Sequence, residues 1–214
     1  MGRDVFQLPQ CSVRGEVLGD RHGQWFVSTD DLGDAPVAYS FGVGRDLSFE
    51  RALIERFRAT VHAFDPTPLA LEWARSQQLP RGLLVHELGL ADYDGTARFL
   101  PSRFQGGESF SMVRETGIGD PIVAPVRRFA SLVDLVGSVP QLVKLDIEGT
   151  EYAVLPDLLA CGFRPRQLLV EFHHRWPEVG TARTREAIRL LNRHGYQVAD
   201  VSAKGKEYTF VLRP

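Results

Sequence analysis

Two groups of residues in this chain have the types and spacing to do chemistry. The first is Gly42-Val43-Gly44, which follows the short apolar run PVAYSF, with Asp65 placed 23 residues after Gly42 at the end of the next such run, VHAF. Glycine lets backbone approach a ligand where a side chain would block it. A carboxylate at the end of the second strand can accept hydrogen bonds from both hydroxyls of a ribose. The pair therefore reads as a nucleoside site, its plainer alternative being a tight strand-to-helix turn and a surface aspartate. The second group is Asp146-Ile147-Glu148, Glu151, Glu171 and His173-His174. In extended chain alternate residues share a face, which aligns Lys144 with Asp146, and Glu171 with His173. Two carboxylates and an imidazole suit a hard or borderline divalent cation, so Asp146, Glu171 and His173 are candidate ligands for Mg²⁺ or Mn²⁺. Such an ion would orient a substrate hydroxyl, with His173 removing its proton beside Asp146. In the plainer alternative Lys144 neutralises Asp146, Glu148 and Glu151 complement a helix N-terminus, and the histidines are hydrogen-bonded structural groups.

The glycine run discriminates between nucleosides. A dinucleotide fingerprint needs a third glycine three residues after the second, and Leu47 stands there. Asp46 would also place negative charge where a pyrophosphate wants donors. S-adenosylmethionine has no phosphate, and its sulfonium tolerates carboxylates nearby. The acids thus favour S-adenosylmethionine over a nicotinamide dinucleotide.

These residues need strands that end together. Residues 13–30 read as a hairpin about Asp20-Arg21-His22-Gly23, preceding the main domain. Strands are expected over 36–41, 61–64, 83–88, 141–145 and 167–172. Helices are expected from Phe49 to Arg58, from Pro68 (capped by Thr67) to Ala74, from Phe129 to Gly137, over 151–160 and over 183–194. A strand over 96–100 and a terminal hairpin, 196–201 and 208–212 about Lys204-Gly205-Lys206, complete the pattern. Five strand and helix repeats predict an α/β, doubly wound, mostly parallel sheet covered on both faces, with ligands beyond the strands' carboxyl ends. The divisions expected are an extension over 1–35 and a domain over 36–214. The segment 101–121, with Gly106, Gly107, Gly117 and Gly119, is expected to be a loop that closes over substrate.

Composition adds exclusions. The 214 residues carry 25 Lys+Arg against 27 Asp+Glu, a net −2, which supplies no general pull toward nucleic acid or an acidic membrane. The stretch from Cys161 to His194 is locally basic, a solvated helix face before it is a docking site. Cys11 and Cys161 form no CxxC and receive no role. There is no apolar signal core and no apolar run near the length of a membrane span, so a soluble cytoplasmic protein, monomer or homodimer, is expected.

YSFGVGRDLSFE, VHAFDPTP, VHELGLADYDGTARF, VKLDIEGTEYAVL and LLVEFHH together resemble FkbM-type S-adenosylmethionine-dependent methyltransferases over about residues 37–175, most specifically in KLDIEGTE at 144–151. The resemblance implies a class I methyltransferase (Rossmann-like) fold with a C-terminal antiparallel strand. It implies cofactor contact by Phe41, Gly42, Val43, Gly44, Asp65 and Pro66, and by Glu87, Leu88 and Gly89. Two positions depart from it: Ser40 stands where such enzymes commonly have an acid, and Asp46 where many have the last glycine of the loop. The expected reaction is methyl transfer to a small-molecule acceptor, most simply a hydroxyl. Its rivals are a nicotinamide-dependent oxidoreductase and a methyltransferase-like module that binds nucleoside without turnover.

Overall fold

The computed structural model describes residues 4–20, 23–101, 110–113 and 120–213. The chain begins with the hairpin β1 (Gly15–Leu18) and β2 (Trp25–Ser28), whose Arg21 and His22 lie outside the described residues. Then follow β3 (Val37–Phe41), α1 (Ser48–Phe57), β4 (Thr60–Phe64), α2 (Pro68–Ser76) and β5 (Leu83–His86). An insertion of β6 (Gly89–Leu90), β7 (Gly95–Pro101), β8 (Phe110–Ser111) and β9 (Ile122–Arg127) leads to α3 (Phe129–Val136). The alternation closes with β10 (Leu142–Leu145), α4 (Glu151–Ala160), β11 (Gln167–Glu171), α5 (Gly180–Arg193), β12 (Tyr196–Val201) and β13 (Glu207–Leu212).

The main sheet runs β12-β13-β11-β10-β3-β4-β5. The five strands from β11 to β5 are parallel, and β13 enters antiparallel between β11 and β12. This is the doubly wound sheet expected, and β13 is its terminal antiparallel strand. Helices on both faces explain why β10 and β11 are buried at all but one position, even at Lys144. One core packs Phe129, Leu132, Val154, Leu158 and Ile188 against that face of the sheet. The other packs Phe49 and Leu53 of α1 with Trp25 and Val27 of the hairpin. Gln167 ties the hairpin to the sheet by accepting from the Ser28 N–H at 2.9 Å and donating to the Ser28 carbonyl at 2.7 Å.

Three local departures from the sequence reading have physical causes. The third strand stops at His86 rather than residue 88, because Gly89 and Leu90 leave the main sheet and pair with β9. β9 itself was not anticipated; Pro125 interrupts its apolar pattern, yet only Ala124 and Val126 face inward while Val123 and Pro125 face out. Thr67 precedes α2 without a side-chain capping bond, and its hydroxyl goes instead to Asp65. The loop expected over 101–121 lies largely outside the described residues, all four of its glycines included.

Candidate active site

Strand order reverses between β3 and β10, so the crevice expected of an open α/β sheet opens above Phe41 and Leu145. Gly42 leaves β3 with φ +76°, and a Cβ built on it would stand 1.7 Å from the Asp146 carbonyl oxygen. The two strand ends approach so closely that only glycine fits. Asp65 then fastens the loop: its Oδ2 accepts from the N–H groups of Val43 (3.1 Å) and Gly44 (3.0 Å), and its Oδ1 from the N–H (2.9 Å) and hydroxyl (2.6 Å) of Thr67. Four accepted bonds occupy about the full capacity of a carboxylate. A ribose hydroxyl would therefore have to replace one of these donors, the Thr67 hydroxyl being the one free to rotate.

A cavity of about 390 Å³ opens on this loop, within the range of small-molecule sites. Phe41, Gly42, Val43, Gly44, Asp65 and Pro66 all line it, as does Asp146. Its apolar wall comes from Leu90, Phe99, Phe110 and Met112, which belong to or flank the inserted strands and which the sequence reading did not single out. Glu87, Leu88 and Gly89 stand outside the cavity. The Glu87 carboxylate is ion-paired with Arg75 at the surface, and Gly89 is packed beneath Val126, Phe99 and Pro66.

Beyond β10 and β11 the acids converge with one of the two histidines. Asp146, Glu171 and His173 present ligand atoms within 4.8 Å of one another. Two of the three are already engaged. Glu171 is ion-paired with Lys206 of the β12–β13 turn. His173, 6% exposed, directs Nδ1 at Glu151 (2.9 Å) and Nε2 at Glu148 (3.3 Å). Burial opposes charge on the ring, but Glu151 and Glu148 outweigh it and hold His173 well above the ordinary histidine range. Both ring nitrogens therefore face carboxylates, and His173 would have to release Glu148 or Glu151 to serve as a base or a metal ligand. A divalent cation on these three groups would have to displace Lys206 from Glu171 and a carboxylate from His173. His174 is turned the other way, buried near Asp4.

Glu151 is the anion around which this region is arranged. Its Oε1 accepts from the N–H groups of Ile147 and Gly149 (3.2 Å each) as well as facing His173. It thereby holds the loop that carries Asp146, in which Glu148 takes the left-handed conformation at φ +51°. Strain of this kind clusters where a loop must be held in one shape. Burial, and next Glu171, push the Asp146 carboxyl well above the usual carboxylate range. Burial would raise Glu171 as well, but His173 and Lys206 overcome it and hold that group low. Of these two acids, Asp146 is the one with affinity for a proton.

The family model for the methyltransferase FkbM domain matches residues 37–198, from β3 into β12. The chain belongs to the FkbM methyltransferase family. It is an S-adenosylmethionine-dependent methyltransferase, and membership sets aside the nicotinamide alternative. No curated protein matches the chain. Among solved structures, this FkbM methyltransferase is similar to the precorrin-6y C5,15-methyltransferase of Geobacter metallireducens (12% identity, 86% of this chain and 82% of that one, TM-score 0.49). It is also similar to a putative S-adenosylmethionine-dependent methyltransferase of Listeria monocytogenes (8%, 86% and 94%, 0.44) and to Aeropyrum pernix fibrillarin with bound S-adenosylmethionine (8%, 85% and 67%, 0.44). Among the described residues, no helix of this FkbM methyltransferase is long and apolar enough to cross a membrane.

Proposed function

We propose that this FkbM methyltransferase transfers the methyl group of S-adenosylmethionine to a hydroxyl of a small molecule, with Asp146 as the proton acceptor. The observation that carries the reading is the position of Asp146: it lines the cavity at the strand-order reversal, beside Gly42, with its proton affinity raised. A general base works best when its pKa is brought toward the operating pH. The hydroxyl oxygen attacks the methyl carbon as the carbon–sulfur bond breaks. Its proton passes to Asp146, and neutral S-adenosylhomocysteine departs.

In this reading Gly42, Val43, Gly44, Asp65 and Pro66 hold the nucleoside, over Phe41 and against Leu90, Phe99 and Met112. The sulfonium is already an activated electrophile, so positioning and deprotonation supply the catalysis. The cavity's size and the chain's balanced charge favour a small molecule over nucleic acid as acceptor. Residues 1–35 act as an extension that completes the core of the 36–214 methyltransferase domain. A Mg²⁺- or Mn²⁺-assisted variant draws support from the convergence of Asp146, Glu171 and His173, and opposition from the Lys206, Glu148 and Glu151 contacts that already hold two of them.

The test measures S-adenosylhomocysteine release across a panel of small alcohols, phenols and amines, with and without EDTA, for wild type and Asp146→Asn. Turnover with a hydroxyl acceptor, indifferent to EDTA and lost in Asp146→Asn while S-adenosylhomocysteine affinity persists, is the expected result. Turnover with amines alone overturns the hydroxyl assignment. Loss on chelation, restored by Mg²⁺ or Mn²⁺, restores the metal.

A further inference from the structure

Trp25 of the hairpin, Glu50 of α1 and Lys144 of β10 wall a second cavity, of about 250 Å³. It meets the first at Gly42, Val43, Asp146 and Glu171. Glu50 is only 1% exposed. Its Oε1 accepts the Ser40 hydroxyl at 2.5 Å, while Oε2 has no hydrogen-bond partner among the described residues. A carboxylate taken out of water this completely calls for a cationic donor. Lys144 lines the same cavity but does not answer the demand. Its ammonium donates to the Gly42 carbonyl at 2.9 Å and sits 5.6 Å from the centre of the Trp25 ring. Carboxylates outnumber lysines around the wall, and an indole face adds attraction for a cation.

We propose that this second cavity binds a primary ammonium group, with Glu50 Oε2 as its acceptor and Ser40 holding the carboxylate in place. The proposal deepens the methyltransferase reading and rests on it in one respect: two molecules can bring such a group. One is S-adenosylmethionine itself, whose amino-acid end would enter this cavity if its nucleoside occupied the first, since the two cavities meet at Gly42. The other is an acceptor that carries an amine beside its reacting hydroxyl.

Calorimetric titrations of wild type, Glu50→Gln and Ser40→Ala decide, using three probes. These are S-adenosylhomocysteine, 5′-methylthioadenosine (the same nucleoside without the amino acid) and propylammonium chloride added to protein saturated with S-adenosylhomocysteine. If the cofactor brings the group, Glu50→Gln weakens S-adenosylhomocysteine about tenfold or more and leaves methylthioadenosine unchanged, as expected for one lost charge-assisted bond. If the acceptor brings it, both nucleosides are unaffected, and propylammonium binds the loaded wild type but not Glu50→Gln. Ser40→Ala, which keeps the charge, shifts the same probe by a smaller factor and carries the test if Glu50→Gln does not fold. The proposal is overturned if all three probes are indifferent to both substitutions, or if both nucleosides weaken alike. Should wild type bind neither nucleoside, the methyltransferase reading fails, and propylammonium titrated into the unloaded protein alone retains or removes the ammonium site.

Discussion

The Asp146 carbonyl oxygen occupies the space that a side chain on residue 42 would need, 1.7 Å from the ideal Cβ position. Gly44, two residues on, has a positive φ of 57° but nothing within 4 Å of its own Cβ position. The two glycines of one short motif therefore serve different purposes. Gly42 permits two strand ends to touch; Gly44 permits a turn.

Gly42→Ala is expected to cost about 3 kcal/mol, because the obstructing atom is backbone and cannot swing aside. Gly44→Ala should cost about 1 kcal/mol, the penalty for a left-handed alanine alone. Urea denaturation of both variants checks the ordering. Equal costs would mean that the approach of β3 to β10 is looser than described.

Asp65→Asn keeps the shape of the residue but replaces one acceptor oxygen with a donor. Either the Val43 and Gly44 N–H groups or the two Thr67 donors lose their partner. A loss of about 1–3 kcal/mol is expected, with a fall in S-adenosylhomocysteine affinity of tenfold or more. Thr67→Ala, which frees an acceptor site on Asp65, should leave affinity within a few-fold of wild type. Titration calorimetry on the two variants separates a ribose contact from a purely structural aspartate.

His173 binds its proton more tightly in the folded chain than in the unfolded one, where its pKa is near 6.5. The stabilisation it contributes is fully present below 6.5 and fades as pH rises through the elevated folded value. His173→Gln should cost about 3 kcal/mol at pH 6, leaving Glu151 and Glu148 without their cation. The gap between the two melting curves should narrow toward alkaline pH. A gap that widens instead would mean that the ring is neutral in the native state.

His62 and His86 behave in the opposite sense. His62 Nδ1 lies 2.9 Å from His86 Nε2, the rings stack at 5.1 Å, and burial holds both pKa values below 6.5. Here the unfolded chain takes up protons first, so stability is present above 6.5 and is lost as pH falls toward the depressed folded values. His86→Phe should flatten this acid limb and preserve the stack on Phe64, now 4.5 Å from the His86 ring. Thermal melts between pH 5 and 7.5 measure it.

Much of this molecule was legible before its structure, and the reasons are local. LVKL and QLLVE are short apolar runs bounded by turn residues, which marks their strands, and the convergence of Asp146 with Glu171 followed from the doubly wound order that sets those strands side by side. What escaped depended on packing between segments distant in the chain. Glu50 reads as an ordinary acid in the first turn of a helix. Only its spacing, next to Phe49 and three residues before Leu53, hinted that it faces inward. The apolar wall of Leu90, Phe99 and Met112 comes from an insertion in which a proline conceals the key strand. His173 was read as chemically available because neither Glu148 nor Glu151 reveals in sequence that both would turn back upon its ring.

The position of β13 bears on how the protein is made. It is synthesised after both of its sheet neighbours, so the nascent chain must leave the edge of β11 open until β12 and β13 have emerged and paired as a hairpin. That hairpin carries Lys204, Lys206 and Glu207 into the cavity wall and sets Lys206 against Glu171. Translation thus delivers the site's electrostatic counterweight last. Without that hairpin, the glycine loop and Asp146 would lack one wall of the pocket, the one made by Lys204, Lys206 and Glu207.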